Sequence, residues 1–393
     1  MSKLAHGEIG ILPAGALGVS LHFHLTGGLQ HDADRIGFLE RPGSRSGAAL
    51  RSAGELRIEY EGAQHRVALA SCLRGDPVTS FREGRLPEVL LVCTNPDQLL
   101  DIVSVCVELL EAIEAAGQLR AGGLPFPAVV LCANGIYHQR VRQVFVEKLE
   151  EATLFGRLPD LWPDLMPAIV GRWLRGVSIQ TGVRDGYGAD TVYHPGPPGR
   201  TRIAGGASEI RQRVVELCAG RGAWFENAGD VPPTRIEFDK AVVNLASNLI
   251  GLLQAIDGEG RFHALKVAEI SGVEMRERID RLAAEVFRIG QKVKAYTADD
   301  DLGALTARLH ASLDEHRDHV PSSVQWVGMQ LCRGRLEARI TPTEQWLLEP
   351  LIRYAGSAGL PETVAYLEGL KRELLDRLEL AAGREANKVG ADG

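Results

Sequence analysis

Cysteine is scarce in these 393 residues, with six scattered at positions 72, 93, 106, 132, 218 and 332 and no Cys-x-x-Cys pair. That excludes a disulfide framework and the usual zinc ribbons, and the apolar settings of most of them point to reduced core thiols and a cytoplasmic protein. A basic surplus is also missing. Lys and Arg number 44 against 51 Asp and Glu, a net charge of −7, which excludes a general nucleic-acid binder. No apolar run approaches the ~18 residues needed to cross a bilayer, and no secretory signal opens the chain. What remains is ordinary globular composition, 45% hydrophobic and 24% charged, in a chain long enough for two domains.

The stretch from Asp239 to Leu253 is the most informative. As a helix it would be apolar nearly all round, hence mostly buried. Lys240, Asn244 and Asn248 nevertheless recur every fourth residue, drifting only about 40° per step around the axis. Burying such groups without partners costs roughly 1–3 kcal/mol each, so the stripe should face either a polar cleft or solvent.

Earlier in the chain, Gly7 to Leu12 reads as a buried strand, Pro13 to Gly18 as a glycine-bearing turn and Val19 to Leu25 as a helix. Strand, tight turn and helix are the context of a dinucleotide fingerprint. Gly15 would let the backbone approach a pyrophosphate at the helix N-terminus, and Gly18 would allow close helix–strand packing. Pro13 stands where the first glycine of the fingerprint would be. Arg35 to Glu40 reads as the second strand, whose tip meets the adenosine ribose in such folds. An acidic residue there suits a ribose hydroxyl and an arginine suits a 2′-phosphate. Glu40 is followed by Arg41, Ser44 and Arg45, which favours NADP(H), although a solvated loop would read similarly.

Residues 55–70 alternate as a hairpin should, and Val89–Thr94 and Phe126–Cys132 are further buried strands, ending at Asn95 and Asn134. A helix from Leu99 to Ala116 separates them. Unbroken apolar strands alternating with helices indicate a parallel sheet covered on both faces, with ligands beyond the strands' carboxyl ends. The Leu/Pro/Trp-rich stretch 149–173 has no clear assignment. Segments between Arg175 and Gly206 read as antiparallel strands added to the sheet's edge. A Gly/Asp/Pro linker at 229–234 marks a domain boundary, after which helices are expected over 236–256, 262–289, 298–317, 321–333, 344–358 and 361–382. Residues 1–231 would form one domain and 232–382 the other, with 383–393 as a disordered tail.

Taken in order, these features resemble the ketopantoate reductase (2-dehydropantoate 2-reductase) family. Leu12-Pro13-Ala14-Gly15-Ala16-Leu17-Gly18 is similar to that family's Gly-x-Gly-Ala-Leu-Gly turn, and Arg41 falls at its 2′-phosphate arginine. Asn134-Gly135 matches its strand-end pair, and Val177 to Gly206 its two-strand extension. Lys240-x-x-x-Asn244-x-x-x-Asn248 matches its active-site helix, and Pro321-Ser322-Ser323 its substrate-binding helix start. The resemblance implies an α/β fold: an N-terminal Rossmann-type dinucleotide-binding domain followed by an all-α, 6-phosphogluconate-dehydrogenase-like C-terminal domain. It implies NADPH-dependent reduction of a small 2-oxo acid, foremost 2-dehydropantoate to pantoate, and it admits a homodimer. Lys240 would be the general acid. Asn134 would hold substrate and nicotinamide ribose in register, and Asn244, Asn248 and Ser323 would bind substrate. Gly15, Ala16, Leu17, Gly18, Arg41, Asn95, Gln98 and Asn134 would contact NADP(H).

Three departures stand out. Pro13 replaces a glycine, Asn95 replaces a lysine, and the family's late glutamate matches either Glu337 or Glu344, of which Glu337 is preferred. No metal is expected, because His22 and His24 would diverge on a helix and no other ligand joins them. Ser322-Ser323 lacks a nucleophile-elbow context, and Asp299–Asp301 reads as a helix start. The alternatives are an opine-type dehydrogenase on the same plan and a non-catalytic dinucleotide-binding descendant.

Overall fold

The short unbroken apolar runs become strands buried on both faces. In the computed structural model, which describes residues 9–29, 35–41, 43–120, 122–152, 162–186, 188–219 and 224–391, eleven strands form two sheets. The strands are β1 (Ile9–Leu12), β2 (Ile36–Phe38), β3 (Glu55–Tyr60), β4 (Ala63–Ala68), β5 (Val89–Val92) and β6 (Ala128–Leu131). They continue with β7 (Trp173–Ser178), β8 (Gly182–Asp185), β9 (Val192–Pro195), β10 (Arg200–Ala204) and β11 (Trp224–Asn227). The larger sheet has the order β11-β10-β7-β6-β5-β1-β2. Strands β1, β2, β5, β6 and β7 are parallel, whereas β10 runs antiparallel to β7 and β11 parallel to β10. The parallel order places the ends of β1, β2, β5 and β6 on one side, as the apolar runs suggested.

The expected edge extension is only half right. Strands β7 and β10 do extend the main sheet, but β8 and β9 leave it to join the β3–β4 hairpin in a second sheet of order β4-β3-β9-β8. The reason lies in the Ala16–Leu25 helix, whose residues from Gly18 to Leu25 are all buried. A helix without a polar face must be covered all round. Gly182 of β8 approaches so closely that a Cβ there would lie 2.2 Å from Ser20 Oγ.

The chain divides into two units, 1–133 with 137–233 and 134–136 with 234–393. The second is helical. The first long helix, Pro233–Asn244, passes through a π-helical turn at Leu245–Leu249 into Ile250–Ala255. Helices Val273–Lys292, Leu302–Glu315, Ser322–Cys332, Pro342–Ser357 and Pro361–Ala391 follow. The expected helix over 262–289 begins later. Asp257 accepts the backbone N–H groups of Glu259 and Arg261, and Gly260 takes φ +75°, so the chain turns there. At the other end, where a disordered tail from 383 was expected, the last helix continues to Ala391. Of the unassigned stretch, 149–151 end a helix that begins at 138, residues 162–170 are helical, and 153–161 lie outside the described residues.

Candidate active site

In the first unit, the turn after β1 leads directly into the Ala16–Leu25 helix, whose first intrahelical bond runs from Val19 N–H to Gly15 O at 2.8 Å. The N–H groups of Ala16, Leu17 and Gly18 therefore belong to the open first turn, the usual seat of an anion. A Cβ on Gly15 would meet nothing within 4 Å, so the approach to this turn is clear. At Gly18 a Cβ would lie 2.2 Å from Pro13 O, so that glycine is required for the turn to pack on its own helix. Gly18 is thus tied to packing, whereas the space at Gly15 is open.

Glu40 does something the sequence did not indicate. It is 2% exposed, and its Oε1 accepts the Ala14 N–H at 3.0 Å. Its Oε2 accepts the hydroxyls of Ser44 at 2.5 Å and Ser46 at 3.3 Å. The carboxylate ties the tip of β2 to the glycine turn instead of standing open to a ribose. Tyr193, which sequence reasoning missed, donates its hydroxyl to Ala14 O at 2.9 Å and braces the same turn from β9. Its only sequence signal was its place in an alternating strand. Arg41 is partly exposed and ion-pairs with Asp101. Asn95 is exposed, Gln98 Oε1 accepts the Thr94 hydroxyl at 2.8 Å, and the Arg45 side chain lies outside the described residues.

In the second unit, Asn248 lies in the π-helical turn and its Oδ1 accepts two donors, the Ser323 N–H at 3.0 Å and the Ser322 hydroxyl at 3.3 Å. The carboxamide thereby caps the start of the Ser322–Cys332 helix, which has no side-chain cap of its own. The Ser323 hydroxyl donates to Glu344 Oε1 at 2.6 Å. Glu344 is fully buried, its Oε2 has no hydrogen-bond partner among the described residues, and burial raises its pKa to about 7. Asn244 is buried and makes no side-chain hydrogen bond among the described residues, and Lys240 has no ion-pair partner among them. Desolvation lowers Lys240 to about 8. Because the residue keeps some exposed surface, this is the effect of crowded apolar surroundings and not of sealing from water.

Glu337 requires a correction. It is exposed on the loop before the Pro342–Ser357 helix and pairs with Arg339 at 2.9 Å, whereas Glu344 joins Ser323. The signal that could have separated them was present. Thr341-Pro342-Thr343-Glu344 has a capping residue, a proline at the first helical position and a glutamate three residues after the cap. Asn134 is exposed and groups with the second unit, where the Ile136 N–H donates to Trp346 O at 3.2 Å.

No family model and no curated protein matches the sequence. Solved structures do match the fold. Over 95% of this chain and 99% of the other, the chain is similar to the ternary structure of a D-mandelate dehydrogenase with NADH and anilino(oxo)acetate, at a TM-score of 0.63 and 14% identity. A PanE/ApbA family ketopantoate reductase from Ralstonia eutropha matches over 95% and 99%, at 0.56 and 14%. A 2-dehydropantoate 2-reductase from Methylococcus capsulatus matches over 95% and 97%, at 0.57 and 16%. The fold is that of the ketopantoate reductases. At these identities the likeness is one of fold, and the chemistry has to be argued from the side chains. On the ketopantoate reductase fold, the glycine turn falls in the α/β unit and the Lys240–Asn248 stripe in the helical one.

Proposed function

We propose that this chain is an NAD(P)H-dependent oxidoreductase that reduces a small 2-oxo acid to the 2-hydroxy acid, with 2-dehydropantoate as the substrate and pantoate as the product. One observation carries the reading: among the described residues Lys240 and Asn244 keep their polar groups unengaged on the same helix whose Asn248 is bonded to Ser323, itself bonded to Glu344. Unengaged buried polar groups are costly and persist where a ligand completes them. The open turn at Gly15 fits a dinucleotide pyrophosphate, with Ala16, Leu17 and Gly18 donating. A reduced nicotinamide bound there would supply the hydride.

The residues of the chain account for the rest. Lys240, as an ammonium, stabilises the negative charge growing on the substrate's C2 oxygen and donates the proton that completes the alcohol. Asn244, Asn248 and Ser323 bind the substrate's carboxylate and hydroxyl groups, and Asn134 sets substrate and ribose in register. Glu344 takes the part first given to Glu337, holding Ser323 in its rotamer.

For the cofactor we favour NADP(H), with Arg41 on the 2′-phosphate. NADH is the second reading, supported by the ion pair that occupies Arg41. Oxidation of NADPH and of NADH, followed with a panel of 2-oxo acids with and without amines, tests the reaction. Turnover only with an amine present would make it an opine-type dehydrogenase, and binding without turnover would make it non-catalytic. Arg41→Ala should lower the NADPH-to-NADH preference at least about tenfold. An unchanged ratio refutes the phosphate assignment.

A further inference from the structure

Outside the residues above, Arg175 on β7 is a deeply buried charged side chain, 1% exposed. Its guanidinium closes off the end of β6. Nη1 donates to Leu131 O at 2.6 Å and Gly176 O at 2.8 Å, and Nη2 donates to Ala133 O at 2.8 Å. Its carbon centre lies 4.6 Å from the centroid of the Tyr137 ring, an attractive stacking arrangement. Tyr137 bends back over the turn, and its hydroxyl donates to the same Ala133 O at 2.6 Å. The neighbouring His138 stays neutral, because burial first and then the Arg175 charge push its pKa down to about 3.

Two donors on one carbonyl restrict it in two directions. Ala133 C=O and Asn134 N–H belong to one planar trans peptide and point in opposite senses. Fixing the carbonyl therefore fixes the direction of the Asn134 N–H and the origin of its side chain. Gly135 then turns the chain at φ +132°, a conformation that suits glycine. Satisfying strand-end carbonyls alone does not call for a buried guanidinium, since water or a neutral donor would serve at lower desolvation cost. We propose that Arg175 and Tyr137 form a positioning clamp that sets the Ala133–Asn134 peptide, and so Asn134, for its work on substrate and nicotinamide ribose. This rests on the reading of the chain as a 2-oxo acid reductase.

The experiment is a double-mutant cycle. Tyr137→Phe removes one hydroxyl and keeps the ring, so folding is preserved, and Arg175→Lys keeps the cation but loses the fork that reaches both Leu131 and Ala133. Each is made alone and combined with Asn134→Ala, and kcat/KM for the 2-oxo acid and Kd for NADPH are measured. A clamp acting through Asn134 predicts about a tenfold loss of kcat/KM for Tyr137→Phe in the native background and less than about twofold in the Asn134→Ala background. Arg175→Lys should show the same collapse of effect. Equal losses in both backgrounds would overturn the clamp and leave a strand-end support. If the wild type binds NADPH but reduces no 2-oxo acid, the reaction assignment fails, and coupling in the NADPH Kd judges the clamp alone. No coupling there overturns it, and a wild type that binds no dinucleotide overturns both.

Discussion

Replacing Glu344 with glutamine should remove a pH-dependent penalty from the folded state. The carboxyl is fully buried, has one hydrogen bond from Ser323 and has its other oxygen unpartnered among the described residues. Desolvation, the largest cause, raises its pKa from 4.5 to about 7. In the unfolded chain the group loses its proton near the ordinary value, whereas in the folded protein it keeps it until about 7. Between those values the folded state binds more protons, so stability falls as pH rises. The penalty is absent below the unfolded value and complete above the folded one. At roughly 1.4 kcal/mol per pH unit the full penalty is about 3 kcal/mol. Glu344→Gln retains the acceptor for Ser323 and cannot ionise. Its amide does place a donor where no partner stands, at a cost of roughly 1–3 kcal/mol, so stability at a single pH is not the readout. The readout is the difference between wild type and variant across pH. Urea denaturation followed by Trp326 and Trp346 fluorescence, between about pH 5 and about pH 8.5, should show the variant gaining on wild type by about 3 kcal/mol as pH rises. A difference that stays flat across that range refutes the buried, high-pKa glutamate.

Lys240→Ala should lower kcat by about 10²–10⁴ while NADPH affinity is retained, and in the wild type kcat/KM should fall as pH rises through about 8, where the ammonium loses its proton. Full kcat in the variant would refute the general-acid role. Gly15→Ala, which meets open space, should fold normally and bind dinucleotide more weakly. Gly18→Ala, driven against Pro13 O, should instead lose about 1–3 kcal/mol of stability, seen as a lower Tm. The two glycines thus separate ligand approach from packing in one pair of melting and binding curves. Deleting Ser247 from the π-helical turn should return it to an α-turn and carry Asn248 away from Ser323, lowering Tm and kcat/KM together, and an unaltered Tm and kcat/KM would refute the link between that turn and the Ser323 helix start.

Much of the α/β unit could be read from sequence because buried parallel strands are continuous apolar runs, and β1, β5 and β6 are among them. Strands β8 and β9 could not be placed, because the partner that claims them is a helix needing cover and not a pattern within the strands themselves. The Ser323 partnership was legible as a helix start but its glutamate was not. Choosing between Glu337 and Glu344 depends on where the loop ends, and although Thr341-Pro342 marks that point, the Gly334-Arg335 segment before it presents Glu337 first. Glu40 was read for its type and position, while its actual partners, Ala14 and two serines, depend on how the glycine turn folds back on the strand tip.

The Lys240–Asn244–Asn248 stripe was drawn on the premise of a uniform α-helix, and that premise fails at its last member. A turn closed by i→i+5 bonds holds one residue more than an α-turn, so Asn248 sits at a different azimuth from the one its spacing implies. The shift has a physical consequence. Asn248 turns its carboxamide oxygen to the start of the Ser322–Cys332 helix, where it satisfies backbone and hydroxyl donors together. Lys240 and Asn244, still on regular α-turns, keep their polar groups unengaged among the described residues. One helix thus carries two kinds of polar residue that spacing alone makes equivalent: Asn248, whose oxygen organises the start of the Ser322–Cys332 helix, and Lys240 and Asn244, whose polar groups have no side-chain partner among the described residues. The division also orders the expected phenotypes. Loss of Asn248 should act through Ser323 and so on KM and stability together, whereas loss of Lys240 should act on kcat alone.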